Sequence, residues 1–110
     1  HGNFAMSPRP LGYATLAVLQ ALADGFQYGF DVIDHTGLPS GTVYPALSTL
    51  TRKGLVESHW EEEGVAHADG RPRRKYYAVR VEGSTALQEA MERFRALGLR
   101  ASSVAPKAMG

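Results

Sequence analysis

At Gly54 the spacing of apolar residues switches from helical to alternating, and no other feature constrains the chain as strongly. Before the switch, Val43, Ala46, Leu47 and Leu50 recur at three- and four-residue intervals, which places them on one face of a helix. After it, Val56, Ser58 and Trp60 alternate with Leu55, Glu57, His59 and Glu61, the period of a strand. A second alternating run follows, with Lys75, Tyr77, Val79 and Val81 on one side and Arg74, Tyr76, Ala78 and Arg80 on the other. The stretch between them, Glu63 to Pro72, carries glycine and proline and reads as a turn region. The two runs therefore predict a hairpin whose tip is longer than usual.

Three helices are expected before the hairpin. Pro10 suits a first helical turn, where its missing N–H would have gone unpaired. The run Leu11 to Ala23 is apolar on nearly every side, as in a helix buried on several faces, and Asp24-Gly25 stops it. A short helix from Tyr28 to Thr36 sets Tyr28 four residues from Val32 and Phe30 three from Ile33, ahead of Gly37. The third begins at Pro39 or Ser40 and ends before Gly54. Pro45 inside it removes one backbone bond, so its first turn should be irregular. Beyond the hairpin, a helix from about Glu82 to Arg100 spans about 28 Å. It bears the stripe Leu87, Met91, Phe94, Leu97, and Glu89 and Arg93 lie four apart in the favourable order.

The expected organisation is an arm over residues 1–8, disordered or left over from cloning, then a domain over 9–81, a helix over 82–101 and a flexible tail over 102–110. The fold class is mainly α with a small β-hairpin (α+β). Helix, short helix, helix and ribbon in that order make a winged helix-turn-helix with a two-stranded wing and a long C-terminal helix. One domain fits 110 residues. A chain this size buries only about two-thirds of its surface, so a second subunit would add stability.

Net charge is only +1, but four basic residues, Arg71, Arg73, Arg74 and Lys75, fall within five positions. The acidic Glu57, Glu61, Glu62 and Glu63 come just before them. A major groove admits one helix, and the third helix can turn Ser40, Thr42, Tyr44, Ser48 and Arg52 outward. Guanidinium groups of the hairpin can meet phosphates. Read from residues alone, the same helix face also suits plain solvation, and the basic cluster also suits pairing with the glutamates across the hairpin.

Several function classes are excluded. Cysteine is absent, which removes disulfides, thiolate catalysis and thiolate metal sites and fits a cytoplasmic location. His35, His59 and His67 lack metal-ligand spacing. No phosphate loop or nucleophile-base motif is present, so neither an enzyme nor a cofactor is expected. No apolar run approaches 18 residues, so no membrane association is expected.

Two stretches resemble the PadR-like family of transcriptional regulators. One is Ser40-Gly41-Thr42-Val43-Tyr44-Pro45-Ala46-Leu47, continued by Leu50 and Gly54-Leu55-Val56. The other is Gly70-Arg71-Pro72-Arg73-Arg74-Lys75-Tyr76-Tyr77, and Leu11-Gly12-Tyr13 and Tyr28-Gly29-Phe30 also fit the family's first two helices. The similarity runs from Leu11 to Leu97 and matches the short form with one helix after the wing.

The resemblance implies a homodimeric repressor on a pseudo-palindromic duplex operator, released by a small effector such as an aromatic molecule. It makes Ser40, Thr42, Tyr44, Pro45 and Ser48 groove-facing candidates, to which the outward Arg52 is added from its helix position, and Arg71, Arg73, Arg74 and Lys75 wing candidates. It assigns the C-terminal helix to dimerisation against the first, through Leu11, Leu87, Met91, Phe94 and Leu97. A departure from the family is Arg80-Val81, where a capping threonine is common; the helix start should lose about 1 kcal/mol of capping. Trp60 is expected in the hairpin core or bordering an interface, at least one of Tyr76 and Tyr77 in the core, and Tyr44 either on DNA or under its own helix turn. The alternative function is a winged-helix protein-interaction module that does not bind DNA, which the near-neutral charge would suit.

Overall fold

The computed structural model describes residues 10–104. The arm over 1–8 and the last six residues of the expected tail lie outside the described residues. The elements are α1 (Tyr13–Ala23), α2 (Gly29–Thr36), α3 (Ser40–Arg52), β1 (Val56–Trp60), α4 (Glu63–Ala68), β2 (Lys75–Val79) and α5 (Val81–Val104).

Helix α1 is buried along Leu16, Val18, Leu19, Ala21 and Leu22, which accounts for its apolar character on most sides. It packs against α3, α2, β2 and α5, and so forms the centre of the domain. It starts at Tyr13 with Gly12 as its cap residue, so Pro10 precedes the first turn instead of sitting in it. The core gathers Val18, Leu19, Leu22, Val32, Val43, Leu47, Leu50, Val56 and Tyr77. Leu11, Ile33, Leu55, Val79 and Leu87 pack on its margin.

Helix α3 runs on through Pro45 as an α-helix. Its first turn is shared: the carbonyl of Pro39 accepts from both Thr42 (2.9 Å) and Val43 (3.0 Å). The bond that Pro45 removes is the one to the Gly41 carbonyl, and Gly41 is exposed, so water can take its place. The helix closes with the N–H of Leu55 on Leu50 O and that of Gly54 on Thr51 O, each at 3.0 Å. This closure needs a left-handed residue, and Gly54 supplies it at φ 76°. The tight reversal changes the period of the chain from helix to strand within one residue.

Strands β1 and β2 pair antiparallel, with Val56 opposite Val79, Ser58 opposite Tyr77 and Trp60 opposite Lys75. The segment before α2 adds a partial third strand. Tyr28 bridges to Tyr76, and the Tyr77 N–H donates to the Gln27 carbonyl at 2.9 Å. The stretch expected as irregular wing tip holds the six-residue helix α4 instead. It closes as α3 does, with Gly70 at φ 68° and the Arg71 N–H on Ala66 O at 3.1 Å. A single turn this short carries almost no periodicity, so the alternation test could not register it.

Helix α5 begins one residue earlier than expected and extends to Val104, beyond Arg100. Arg80 stands at its entry and pairs with Glu57 and Glu82, both at 3.4 Å. Gly83 marks a close approach. A Cβ there would run into the carbonyl oxygen of Leu55 and lie 2.9 Å from Val79 Cγ1.

Candidate nucleic-acid interface

The outward side of α3 follows from its inward side. Val43, Ala46, Leu47 and Leu50 are buried, and helical geometry then turns Ser40, Gly41, Tyr44, Pro45, Ser48 and Arg52 to solvent. Thr42 is half-buried beside them. The exposed face carries hydroxyls at its start and middle and a cation at its end, with no acidic residue along α3. Tyr44 does not tuck under its own helix turn. Its ring lies against Gly29 of α2, where a Cβ would come within 2.7 Å of Cε1 and 2.8 Å of the hydroxyl. The ring still leaves 40 % of the residue exposed. Gly29 thus lets α2 and α3 close around an aromatic that also reaches the surface.

The wing separates its four cations. Arg71 forms a two-bonded pair with Glu61, Nη1 to Oε1 at 2.7 Å and Nη2 to Oε2 at 2.8 Å, and Nη2 also reaches Asp69 at 3.2 Å. The Arg74 N–H donates to the same Glu61 carboxylate at 3.2 Å. Chiefly through the Arg71 hydrogen bonds, the Glu61 carboxyl is held down at about 2. Its side chain is only 9 % exposed. Arg71 therefore fastens α4 and the wing tip to the end of β1.

The other three cations rest on aromatic rings. The Arg74 guanidinium lies 4.6 Å from the Tyr28 ring centre, in a cluster in which Tyr28 also meets Phe30 and Tyr76. Lys75 Nζ is 5.5 Å from the Trp60 ring centre and Arg73 is 5.8 Å from it. Arg73 is further held by its Nε, which donates to the Glu61 carbonyl at 2.9 Å.

Trp60 lies outside the core. It shares a face of the ribbon with buried Val56 but is 55 % exposed, because the ribbon outruns the helices that cover its root. Of the two adjacent tyrosines, Tyr77 enters the core and Tyr76 stays half-buried. The pairing of Tyr28 with Arg74 had no signal in the sequence, since a separation of 46 positions and four intervening elements hide it. Gly83 did offer one: a glycine in the first turn of a helix points to a close approach.

On α5, the expected apolar stripe divides. Leu87 packs on the domain core, as does Leu11. Met91, Phe94 and Leu97 are about half exposed, at 48 %, 48 % and 54 %. A cavity of about 400 Å³ opens between the start of α1, the end of α3 and α5. Leu11, Leu16, Leu55 and Ala86 give it apolar walls, and Lys53, Glu89 and Arg93 give it charges.

Three packed helices, a wing and an outward third helix free of acidic groups define a winged-helix regulator of transcription. Residues 18–89 match the family model described as the transcriptional regulator PadR-like family. The chain belongs to that family. A PadR family transcription regulator from Clostridium difficile is 25 % identical with a TM-score of 0.73, over 84 % of this chain and 97 % of that one. A PadR-like transcription factor from Bacteroides fragilis is 24 % identical with a TM-score of 0.70, over 83 % and 88 %. Bordetella bronchiseptica BpsR, whose DNA binding is regulated by 6-hydroxynicotinic acid, is 20 % identical with a TM-score of 0.68, over 94 % and 76 %. The latter two share the fold. No curated protein matches the sequence. Among the described residues no helix is long and apolar enough to cross a membrane.

Proposed function

We propose that this regulator is a cytoplasmic homodimeric repressor that binds a pseudo-palindromic DNA operator. The observation that carries the reading is the outward face of α3, where Ser40, Tyr44, Pro45, Ser48 and Arg52 are exposed beside half-buried Thr42 and the helix itself carries no acidic side chain. Hydroxyls and a terminal guanidinium can read base edges and phosphates in the major groove. Arg73, Arg74 and Lys75 grip the backbone from the wing, and Arg71 shapes the wing through Glu61. Met91, Phe94 and Leu97 of two copies cover each other, which removes their apolar surface from water.

Release by a small planar acid is supported by the cavity beside α5. A ligand there would touch Lys53 at the end of α3 and Arg93 on α5 together, so its binding would bias the angle between the recognition and dimerisation helices. The test is selection of bound duplexes from a random pool, followed by footprinting and sedimentation of the complex. The expected product is a palindrome with half-sites about 34–36 Å apart carrying two chains. Failure of the protein to retain any duplex at low salt would refute DNA binding and favour a protein-interaction role.

A further inference from the structure

The wing carries an exposed tryptophan that the core does not use. Val56, Ser58 and Trp60 share one face of β1; Val56 is fully buried and Trp60 is open to solvent. An indole is costly to leave in water, and exposed aromatics of this size mark contact surfaces. This one is held in place. Its cross-strand partner is Lys75, whose ammonium sits 5.5 Å from the ring centre. Arg73, tied by Nε to the Glu61 carbonyl, brings a second cation to 5.8 Å. The result is a flat apolar plate framed by two cations.

We infer that Trp60 is a DNA-contact residue, packing its indole on the deoxyribose edge of the duplex while Arg73 and Lys75 meet the flanking phosphates. The inference rests on the DNA-binding reading above and adds to it a contact that is neither hydrogen-bonded nor cationic. Charge complementarity selects the occupant. A sugar-phosphate strand offers C–H surface bracketed by anions at a regular spacing, which matches the plate and its frame. An uncharged apolar partner would have to bury both cations unpaired, which is unfavourable.

Trp60 is the single tryptophan of the chain, so its fluorescence reports this contact alone. The full chain is titrated with a mixed-sequence duplex of about 24 base pairs at low salt, with binding followed separately by the anisotropy of a dye on the DNA. The expected result is that DNA quenches Trp60 and cuts its accessibility to acrylamide at least about twofold. Trp60→Ala is expected to weaken binding about tenfold, and Trp60→Phe to restore most of it. Exposure of Trp60 leaves folding of both variants to be confirmed by their unchanged thermal unfolding. If anisotropy reports binding while Trp60 stays as accessible as in free protein, the inference is overturned and DNA binding stands. If neither signal moves, both are overturned. Protein-concentration-dependent shielding without DNA would assign the plate to a second copy and overturn it as well.

Discussion

The Glu61 carboxylate receives both terminal nitrogens of Arg71, ten positions further on, at 2.7 and 2.8 Å. Glu61 also accepts from the Arg74 backbone N–H, so one carboxylate fixes the entry and exit of α4. Glu61 thereby orders the basic cluster, leaving the side chains of Arg74 and Lys75 for other partners.

Stability should reflect that pair with a definite pH dependence. The Glu61 carboxyl is lowered to about 2 in the fold from an ordinary value of 4.5, so its contribution is fully present above about 4.5. It is lost as pH falls from there through about 2. Glu61→Gln should lower the unfolding temperature at pH 7, and the gap from the wild type should close as pH drops through that window. A gap unchanged at pH 2.5 would show that the pair contributes nothing through its charge.

Arg73→Ala with Arg74→Ala should weaken binding to all duplexes alike. The salt dependence of log Kobs should become shallower by about 2, since about 0.9 counterion is released per phosphate contact. Ser48→Ala on α3 should instead alter the ranking of sequences. Binding titrations over a salt series on several duplexes separate the two behaviours, and a change in ranking from the wing variant would refute the division of labour.

Two glycines of α5 should respond to alanine with opposite signs. Gly98 has open space around its Cα, and Gly98→Ala should stabilise by about 1 kcal/mol through helix propensity. At Gly83 the added methyl meets the Leu55 carbonyl and Val79, so Gly83→Ala should destabilise by about 1–3 kcal/mol despite the same propensity gain. Urea unfolding of the two variants decides it; stabilisation by both would mean that α5 does not lie so close to Leu55.

Phe94→Glu should yield a sedimentation mass of one chain while keeping the helical circular dichroism of the domain. Leu87→Glu should instead unfold the protein, because Leu87 packs on the core and Phe94 does not. A Phe94→Glu dimer would move the subunit interface elsewhere.

Element types and order could be read from the sequence wherever a period ran for several turns. Val43 to Leu50 and Val56 to Trp60 fall where their spacing puts them, and Gly54 stands at the junction. Helix α4 was hidden because six residues hold too little pattern, and the core reading of Trp60 fails because alternation reports the face of a strand without reporting where its cover ends. The candidate site was visible as residue types: hydroxyls on one helix and four cations within five positions at the start of the second strand. Which cation is committed to structure depends on distances between side chains, as with Arg71 on Glu61 and Arg74 on Tyr28, and local spacing does not encode them.

The peptide unit at Leu55 connects three parts of the molecule. Its N–H closes α3 on Leu50, its carbonyl accepts from Arg80 at 2.9 Å, and Gly83 sits against that same oxygen. Helix α3, the wing and α5 thus meet at one peptide unit. A tilt of α5 about that unit would therefore be passed to the end of α3 without an intervening loop to absorb it.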